Sequence, residues 1–515
     1  MPFIPVYGPN IGYIYSRPHC PWVRPCRRTD NGRPVSRRHV FPIALRQKLK
    51  HNEHSFKPAW SFYTLSKTLC MIPWLHRFTN EEGLQLACCT GMGDDNQLRD
   101  DNGRALHVSQ HLTDEQVLNS PVNKAMRVAM MNGEWPAVCE RCRRSEEAGA
   151  ISIRQHVNSR FSHREKEALS HTGADGTLQE AKVRYADIRL GNTCNLTCRM
   201  CWPSASARWI RHYNQVQPKN YRWAEATLDR HRKSWVKRES AEWLIRQSLA
   251  TLESLHFAGG EPLIIPEMPQ LLEICIRSGR ADQIDLSYNT NVTELPARVT
   301  KLWSHFRSVS LYCSVDGFGT LNEYIRRPSR WVDIDRNFQL LDQHFLEWKL
   351  RTVLCCTTVQ LYNILQLGEL FDYLATGFSN ITPVPQLLPL YDPFYLSIRH
   401  LPADVKEAAR KMLIDEKTRA ESLEQPGQHV IGGQIDTIIA HMCEPGSPKA
   451  LMDFLYFSEK SDKEFGDSWR YSAPGLAAAF RSAKPEESVA PGQATSGICA
   501  PGDISLSGLH RGIME

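Results

Sequence analysis

The sequence lacks any run of about eighteen apolar residues, the length that a helix needs to cross the core of a bilayer. It also lacks, near its first residue, the apolar segment that is typical of a secretory signal peptide. These two absences argue against a membrane-spanning or secreted protein and favour a cytoplasmic location. At 515 residues the chain is too long for one compact core, so we expect about two to four structural units.

Acidic residues are scarce in residues 1–60, which contain eleven Lys or Arg but only Asp30 and Glu53. This segment carries a charge of +9 whereas the whole chain carries +6, so the rest of the chain is slightly acidic. Since the segment is rich in Pro and Arg and shows no apolar periodicity, we predict that residues 1–65 form a basic flexible arm. The alternative interpretation is a contact with nucleic acid or with an acidic partner.

The 16 cysteines are too sparse in a chain of this length for a disulfide scaffold. In a reducing compartment, such thiols are buried small apolar residues or metal ligands, and their spacing distinguishes the two. Apolar runs contain Cys275, Cys313, Cys355 and Cys356, which we predict to be core residues.

From residue 183 onward, short apolar runs alternate with segments that have helical periodicity. The runs predict six strands, at residues 183–190, 254–260, 283–289, 308–316, 350–359 and 380–388. Strands separated by helices favour a parallel sheet with right-handed crossovers. The predicted fold is α/β, a partial (β/α)6 TIM-type barrel whose functional groups lie at the carboxyl ends of the strands.

Three cysteines, Cys194, Cys198 and Cys201, follow the first predicted strand in the sequence CNLTCRMC. Thiolates at this spacing can bind one cubic iron–sulfur cluster and leave its fourth iron without a protein ligand. A structural zinc site normally has four protein ligands, so it is a poor match to three cysteines. The pattern therefore indicates a cluster with one iron open to another molecule.

The CxxxCxxC spacing, followed by GGEP at Gly259, Gly260, Glu261 and Pro262, resembles the radical S-adenosylmethionine (SAM) superfamily. The resemblance implies a 4Fe–4S cluster whose open iron chelates the amino and carboxylate groups of SAM. One electron then splits a sulfonium–carbon bond, and the 5'-deoxyadenosyl radical abstracts a substrate hydrogen. In this interpretation the glycines allow the cofactor to approach closely, and Glu261 supplies a negative charge for its ammonium group.

The same resemblance implies further cofactor contacts at the ends of the next strands. The candidates are Asn289, Thr290 and Asn291 for the ribose, Ser314 and Asp316 at the end of the fourth strand, and Arg326, with Arg327 as a rival, for the cofactor carboxylate. Each of these residues could instead serve in a cap or turn. Met200 stands where many relatives have an aromatic residue, and its thioether can pack against adenine.

A second group of cysteines precedes the predicted barrel. Cys70 and Cys88 stand in the pattern C-x12-G-x4-C, and Cys139 and Cys142 stand in VCERC. Four thiolates suit a closed 4Fe–4S cluster or zinc, and Cys89 could replace Cys88. The pattern is similar to the auxiliary-cluster fold called SPASM, or twitch in its shorter version. In many relatives this module follows the barrel, whereas here it precedes it.

These patterns divide the chain into five predicted parts. They are the arm at 1–65, the twitch/SPASM-like module at 66–180, the barrel at 181–400, a helical appendage at 401–482 and a Pro/Gly/Ser-rich disordered tail at 483–515. Relatives with auxiliary clusters commonly modify a side chain of a peptide or protein. The resemblance therefore implies an enzyme with such a substrate, supplied with electrons by a donor such as flavodoxin or ferredoxin.

Two alternatives remain open from the sequence. Residues 207–238 interleave Arg and Lys with Trp209, Trp223 and Trp235, a mixture that can neutralise phosphates and stack bases in an RNA-modifying enzyme. The same residues could form a surface insertion whose tryptophans pack under the following helix. The third hypothesis is a zinc-stapled interaction protein in which both cysteine groups are structural.

Overall fold

The computed structural model describes residues 67–91, 93–147, 151–232, 234–422 and 428–482, and its centre is an eight-stranded sheet. The strands are β1 (His76–Thr79), β2 (Gln85–Leu86), β3 (Tyr185–Arg189), β4 (Ser254–Ala258), β5 (Asp285–Thr290), β6 (Ser308–Ser314), β7 (Leu350–Val359) and β8 (Gln386–Pro389). Their order in the sheet is β2-β1-β3-β4-β5-β6-β7-β8. Only the β1–β2 pair is antiparallel among these neighbours, so seven strands end at the same edge.

All six strands predicted from the sequence are present, as β3 to β8. The sequence did not predict that the upstream segment would join the same sheet. His76 of β1 lies opposite Tyr185 of β3, and the pairing is parallel through Thr79 and Ile188. The hairpin of β1 and β2 therefore extends the sheet at its first edge.

Helices lie before, between and after the strands of the sheet. Before β3 lie α1 (Ile72–Leu75), α2 (Asp114–Leu118), α3 (Pro121–Met131), α4 (Glu140–Glu147), α5 (Ile153–Phe161) and α6 (Glu165–Ser170). Between β3 and β8 lie α7 (Tyr213–Val216), α8 (Glu225–His231), α9 (Arg238–Ser248), α10 (Met268–Arg277), α11 (Ala297–Trp303), α12 (Thr320–Ile325), α13 (Trp331–Gln343) and α14 (Leu367–Gly377). After β8 come α15 (Ala403–Ser422), α16 (Gln428–Cys443), α17 (Pro448–Phe465), α18 (Trp469–Ser472) and α19 (Pro474–Ser482).

The two faces of the sheet differ in chemistry because successive side chains of a strand point to opposite faces. On one face, Leu255, Leu286 and Leu311 are fully buried in the main hydrophobic core with helices such as α10. On the other face, His256 Nδ1 lies 2.9 Å from Ser287 Oγ, and the rings of His76 and Tyr185 are 4.5 Å apart. The sheet thus has one apolar face and one polar face.

A second hydrophobic core joins the loop after β3 to the helices that follow β8. It contains Leu196 and Trp209 from the β3 side and Phe454, Phe457 and Trp469 from α17 and α18. The C-terminal helices therefore pack on the segment that carries the three spaced cysteines. The four cysteines predicted to be core residues are all fully buried: Cys275, Cys313, Cys355 and Cys356.

No helix in the described part of the chain combines the length and the apolar composition needed to cross a membrane. The predicted basic arm at 1–65 and the predicted tail at 483–515 lie outside the described residues.

The buried histidines on the polar face should make the stability of the fold depend on pH. Burial lowers the pKa of His76 and of His256 from 6.5 to about 4, so both rings are neutral in the folded protein at pH 7. As the pH falls below 6.5 the unfolded chain binds protons that the folded chain does not, and each histidine then costs about 2 kcal/mol of stability at pH 5. We expect the H76Q/H256Q double variant of the cluster-free protein to lose less stability than wild type between pH 7 and 5 in urea unfolding. Equal losses in the two proteins would contradict this assignment.

Candidate functional site

The residues that the sequence singled out converge on one cavity of about 180 Å³. It lies at the edge where the parallel strands end. Its lining includes ten of the predicted site residues: Cys194, Cys198, Cys201, Gly259, Gly260, Asn289, Thr290, Asn291, Ser314 and Arg326. The other predicted residues near this edge, Glu261, Pro262 and Asp316, are buried beside the cavity rather than in its lining.

The loop that carries Cys194, Cys198 and Cys201 is fixed from behind. The amide of Arg199 donates to the carbonyl of Ile325 over 2.7 Å, and Trp209 Nε1 donates to the carbonyl of Cys198 over 3.0 Å. The Arg199 side chain is completely buried, with its guanidinium 2.8 Å from the Asp467 carboxylate and 4.2 Å from the centre of the Tyr324 ring. The loop is thus held between the end of α12 and the connection from α17 to α18.

The donor set of this loop fits an iron–sulfur cluster. All three thiols are free and line the cavity. Burial raises the pKa of Cys194 to about 12 and of Cys198 to about 11, and the neighbouring Cys198 thiol adds to the shift of Cys194. Buried thiols such as these are neutral on their own, so metal binding must displace their protons.

The two glycines of GGEP lie where two segments of main chain approach each other too closely for a side chain. Gly259 has a φ of +110°, and a Cβ on Gly260 would lie 2.0 Å from the carbonyl oxygen of Thr193. The Gly260 amide donates to the Gly191 carbonyl over 3.0 Å, and the Glu261 amide donates to the Thr193 carbonyl over 2.8 Å. The turn after β4 is therefore joined directly to the cysteine loop after β3.

The carboxylate of Glu261 is engaged by the chain itself. It accepts hydrogen bonds from the Asn291 amide at 2.6 Å, the Thr290 hydroxyl at 2.8 Å and the Leu263 amide at 3.1 Å. Burial raises its pKa to about 7. The role that the resemblance gave to this side chain, contact with a ligand ammonium, is thus not the one that the geometry favours. Its carboxylate holds the end of β5 against the turn after β4, and the glycine backbone faces the cavity.

The geometry separates the two candidate arginines. Arg326 lines the cavity, and its Nε lies 2.8 Å from the Asp316 carboxylate while its Nη1 lies 4.0 Å from Cys198 Sγ. Arg327 instead contacts Asp467 over 2.8 Å and donates to the Phe465 carbonyl over 2.9 Å. Arg326 is therefore the one placed to meet an anionic group at the cavity, and Asp316 orients it.

The four upstream cysteines are brought together as well. Burial raises the pKa of the Cys70 thiol, and the nearby Cys139, Cys88 and Cys142 thiols raise it further. Cys88 belongs to this group, whereas its neighbour Cys89 lines the cavity. Among the described residues, no three His, Cys, Asp or Glu side chains converge as the ligands of a single ion would. The sequence predicts a 4Fe–4S cluster or zinc for four such thiols, and both stay predictions.

Sequence reasoning missed one wall of the cavity, formed by Phe78, Glu81, Cys89 and Arg189. Three of these residues belong to the β1–β2 region, whose place in the sheet the sequence did not predict. Arg189 is the last residue of β3, so it lies at the edge of the sheet where the cavity is. The alternation of side chains along a strand could have indicated this position.

The tryptophans of residues 207–238 are used in packing. Trp209 is fully buried and Trp235 is 8 % exposed, while Trp223 packs against Tyr213 with ring centres 5.3 Å apart. The first two rings are not available to stack on bases. This arrangement favours packing over base stacking for these two rings, although Trp209 packs against Phe465 of α17 rather than under the following helix.

The Gly260 contact gives a direct test of the site's construction. Gly260→Ala places a methyl group against the Thr193 carbonyl, so the cysteine loop and the turn must separate. We expect a loss of about 2 kcal/mol of stability and weaker SAM binding. Urea unfolding and calorimetric titration with SAM measure the two effects. Gly377→Ala is the control, since its Cβ would meet no atom within 4 Å; equal behaviour of the two variants would contradict the contact.

The buried arginine behind the loop gives a second test. Arg199→Met removes a fully buried cation from the partly exposed Asp467 carboxylate, which Arg327 still contacts, and the lost hydrogen bond to a charged group costs about 2 kcal/mol. Arg470→Met is the matched control, because Arg470 is half exposed and lies 3.4 Å from Glu459. We expect urea unfolding and the iron content after reconstitution to change in the first variant alone. An Arg199→Met protein with wild-type stability and iron content would disprove the role.

Part of the chain is similar to a protein of known activity. The chain is 28% identical over 111 residues to GTP 3',8-cyclase from Syntrophomonas wolfei, a match that covers 21% of this chain and 28% of that protein. The chain thus spans little more than a quarter of the curated relative that it matches.

Solved structures show only a distant likeness. The structure of anSMEcpe with bound AdoMet has 17% identity and a TM-score of 0.33, over 45% of this chain and 57% of that chain. SuiB from Streptococcus suis, bound to S-adenosylmethionine, has 12% identity and a TM-score of 0.32, over 55% and 57% of the two chains. At these TM-scores the likeness carries no argument about function. The family model of the radical SAM superfamily matches residues 188–356, and this match supports the radical SAM superfamily as the family of that region.

Proposed function

We propose that this chain is a radical SAM enzyme that modifies a side chain of a peptide or protein. The observation that carries the proposal is the cavity itself, in which three free thiols, the Gly259–Gly260 turn and Arg326 face one space. A 4Fe–4S cluster held by Cys194, Cys198 and Cys201 would supply one-electron reductive cleavage of SAM to a radical.

The chain's own residues would position SAM. The backbone of Gly259 and Gly260 can approach the amino group without a side chain between them, and Arg326 presents a guanidinium to the carboxylate. Asn289, Asn291 and Ser314 line the wall on which the ribose would lie, and Met200 lines the wall for the adenine. Glu261 would act indirectly, because its carboxylate accepts hydrogen bonds from Thr290 and Asn291 and so fixes their positions.

The upstream four-thiol group supports the choice of substrate class. Cys88 belongs to it, and the adjacent residue, Cys89, lines the cavity. A second cluster at Cys70, Cys88, Cys139 and Cys142 would thus lie next to the space where a substrate meets SAM. This is the arrangement expected of an auxiliary cluster of the SPASM or twitch type, whose members commonly act on peptides. We assign residues 66–180 to that module. We further propose that a donor such as flavodoxin or ferredoxin supplies the electrons.

We also infer that residues 181–400 form a partial (β/α)6 barrel. Strands β3 to β8 are parallel neighbours in chain order, with at least one helix between each successive pair. Parallel strands joined in this way by right-handed crossovers curl in one direction and place their carboxyl ends at a common mouth.

The proposal predicts a division of labour between the two cysteine groups. Cys198→Ala should abolish formation of 5'-deoxyadenosine from SAM and reductant, since it removes one ligand of the cleaving cluster. Cys139→Ala should retain some cleavage, uncoupled from substrate turnover, because it alters only the second group. Anaerobic reconstitution, iron analysis and chromatography of 5'-deoxyadenosine measure the outcome.

Iron content provides a readout independent of turnover. Wild type should bind about eight irons per chain, and each variant should lose about four. Complete loss of SAM cleavage in both variants would contradict the division of labour. A colourless protein that binds zinc and no iron would favour the zinc-stapled interaction protein instead.

A further inference from the structure

One wall of the cavity has no part in the SAM site proposed above. We call it the upstream wall, and it consists of Phe78, Glu81, Cys89 and Arg189. Glu81 follows β1 and Gly259 follows β4, and the strand β3 lies between these two strands. Two strand spacings separate the residues by roughly 10 Å, so the upstream wall lies beside the SAM contacts rather than among them.

Glu81 is the acidic residue of this wall. Its side chain lines the cavity, the residue is 9 % exposed, and its Oε2 atom is buried without a hydrogen-bond partner. Burial raises its pKa. Since a buried carboxylate is costly unless it is paired, a cavity that keeps one at its surface is suited to a ligand that supplies a hydrogen-bond donor.

The charged groups around Glu81 indicate the charge that this ligand would carry. The guanidinium of Arg189 lies 3.4 Å from the carboxylate of Asp187, which is fully buried on the polar face of the sheet. His76 and His256, which border Asp187, are neutral because burial lowers the pKa of each to about 4. The positive charge of Arg189 also acts on Glu81, where it opposes the rise in pKa, so one cation faces two carboxylates and an ionised Glu81 leaves one negative charge in excess.

The adjacent glutamate shows the contrast. Glu82 Oε1 lies 3.4 Å from Nε2 of His231, and its side chain is 29 % exposed. It does not line the cavity. The Glu82 carboxylate therefore lies near a protein side chain and is partly exposed to solvent. It provides a matched control for Glu81.

We propose that Glu81 forms a substrate subsite that binds the ammonium or guanidinium group of a Lys or Arg side chain in a peptide. The inference rests on the proposed function, since it assumes a peptide substrate, and it specifies which kind of residue that peptide carries next to the reacting position. Phe78 and the methylene groups of the bound side chain would supply apolar contact along the same wall.

The experiment uses the reconstituted protein with SAM and without reductant, and its probe is an mRNA-displayed library of random peptides. Peptides retained by wild type should be enriched in Lys or Arg at a fixed position. Their affinity should fall about tenfold or more with Glu81→Gln and remain unchanged with Glu82→Gln. The Glu81→Lys variant should instead retain peptides that carry Asp or Glu at that position.

Iron content and SAM affinity equal to those of wild type show that each variant is folded, and Glu81→Asp should keep part of the affinity. Retention of the same peptides with equal affinity by wild type and Glu81→Gln would overturn the subsite and leave the peptide function standing. The subsite would also be overturned by retained peptides without a basic residue. Retention of no peptide by wild type would contradict the proposed function and the subsite together.

Discussion

The whole site depends on two main-chain hydrogen bonds between the loop after β3 and the turn after β4. The amides of Gly260 and Glu261 donate to the carbonyls of Gly191 and Thr193, and this spacing leaves no room for a side chain at Gly260. Because the contact joins the two segments, the free thiols and the glycine backbone face the same cavity. A side chain at that point would separate the thiols that could hold a cluster from the backbone that could approach its ligand.

The position of the upstream module follows from sheet pairing rather than from its place in the chain. Strand β1 runs parallel to β3, so its carboxyl end lies at the edge where the other parallel strands end. The residues that follow it, Glu81 and then Cys89, thereby reach the cavity although they precede β3 by about a hundred residues. A module that comes before the other strands can in this way occupy a position beside the cavity.

Sequence reasoning was accurate where the signal is local. The strands β3 to β8 have continuous apolar runs, and the cysteine and GGEP spacings are short patterns. It could not decide between neighbours such as Arg326 and Arg327, or Cys88 and Cys89. Adjacent residues point in different directions, and the carboxylate that receives Arg327 belongs to Asp467, which is distant in sequence. Glu81 was missed for a related reason: β1 is only four residues long, and its polar residues conceal its burial.

The C-terminal helices, predicted as an appendage, take part in the construction of the site. Arg199 stands between the second and third cysteines, yet its charge is met by Asp467, 268 residues away, at the end of α17. The cation also lies over the ring of Tyr324, so the back of the loop is packed and neutralised. The thiols are then approached from the cavity, whose lining also includes Arg326 and Glu81. Because the back is closed by protein, a cofactor and a substrate that entered this cavity would lie against each other, as the proposed hydrogen abstraction requires.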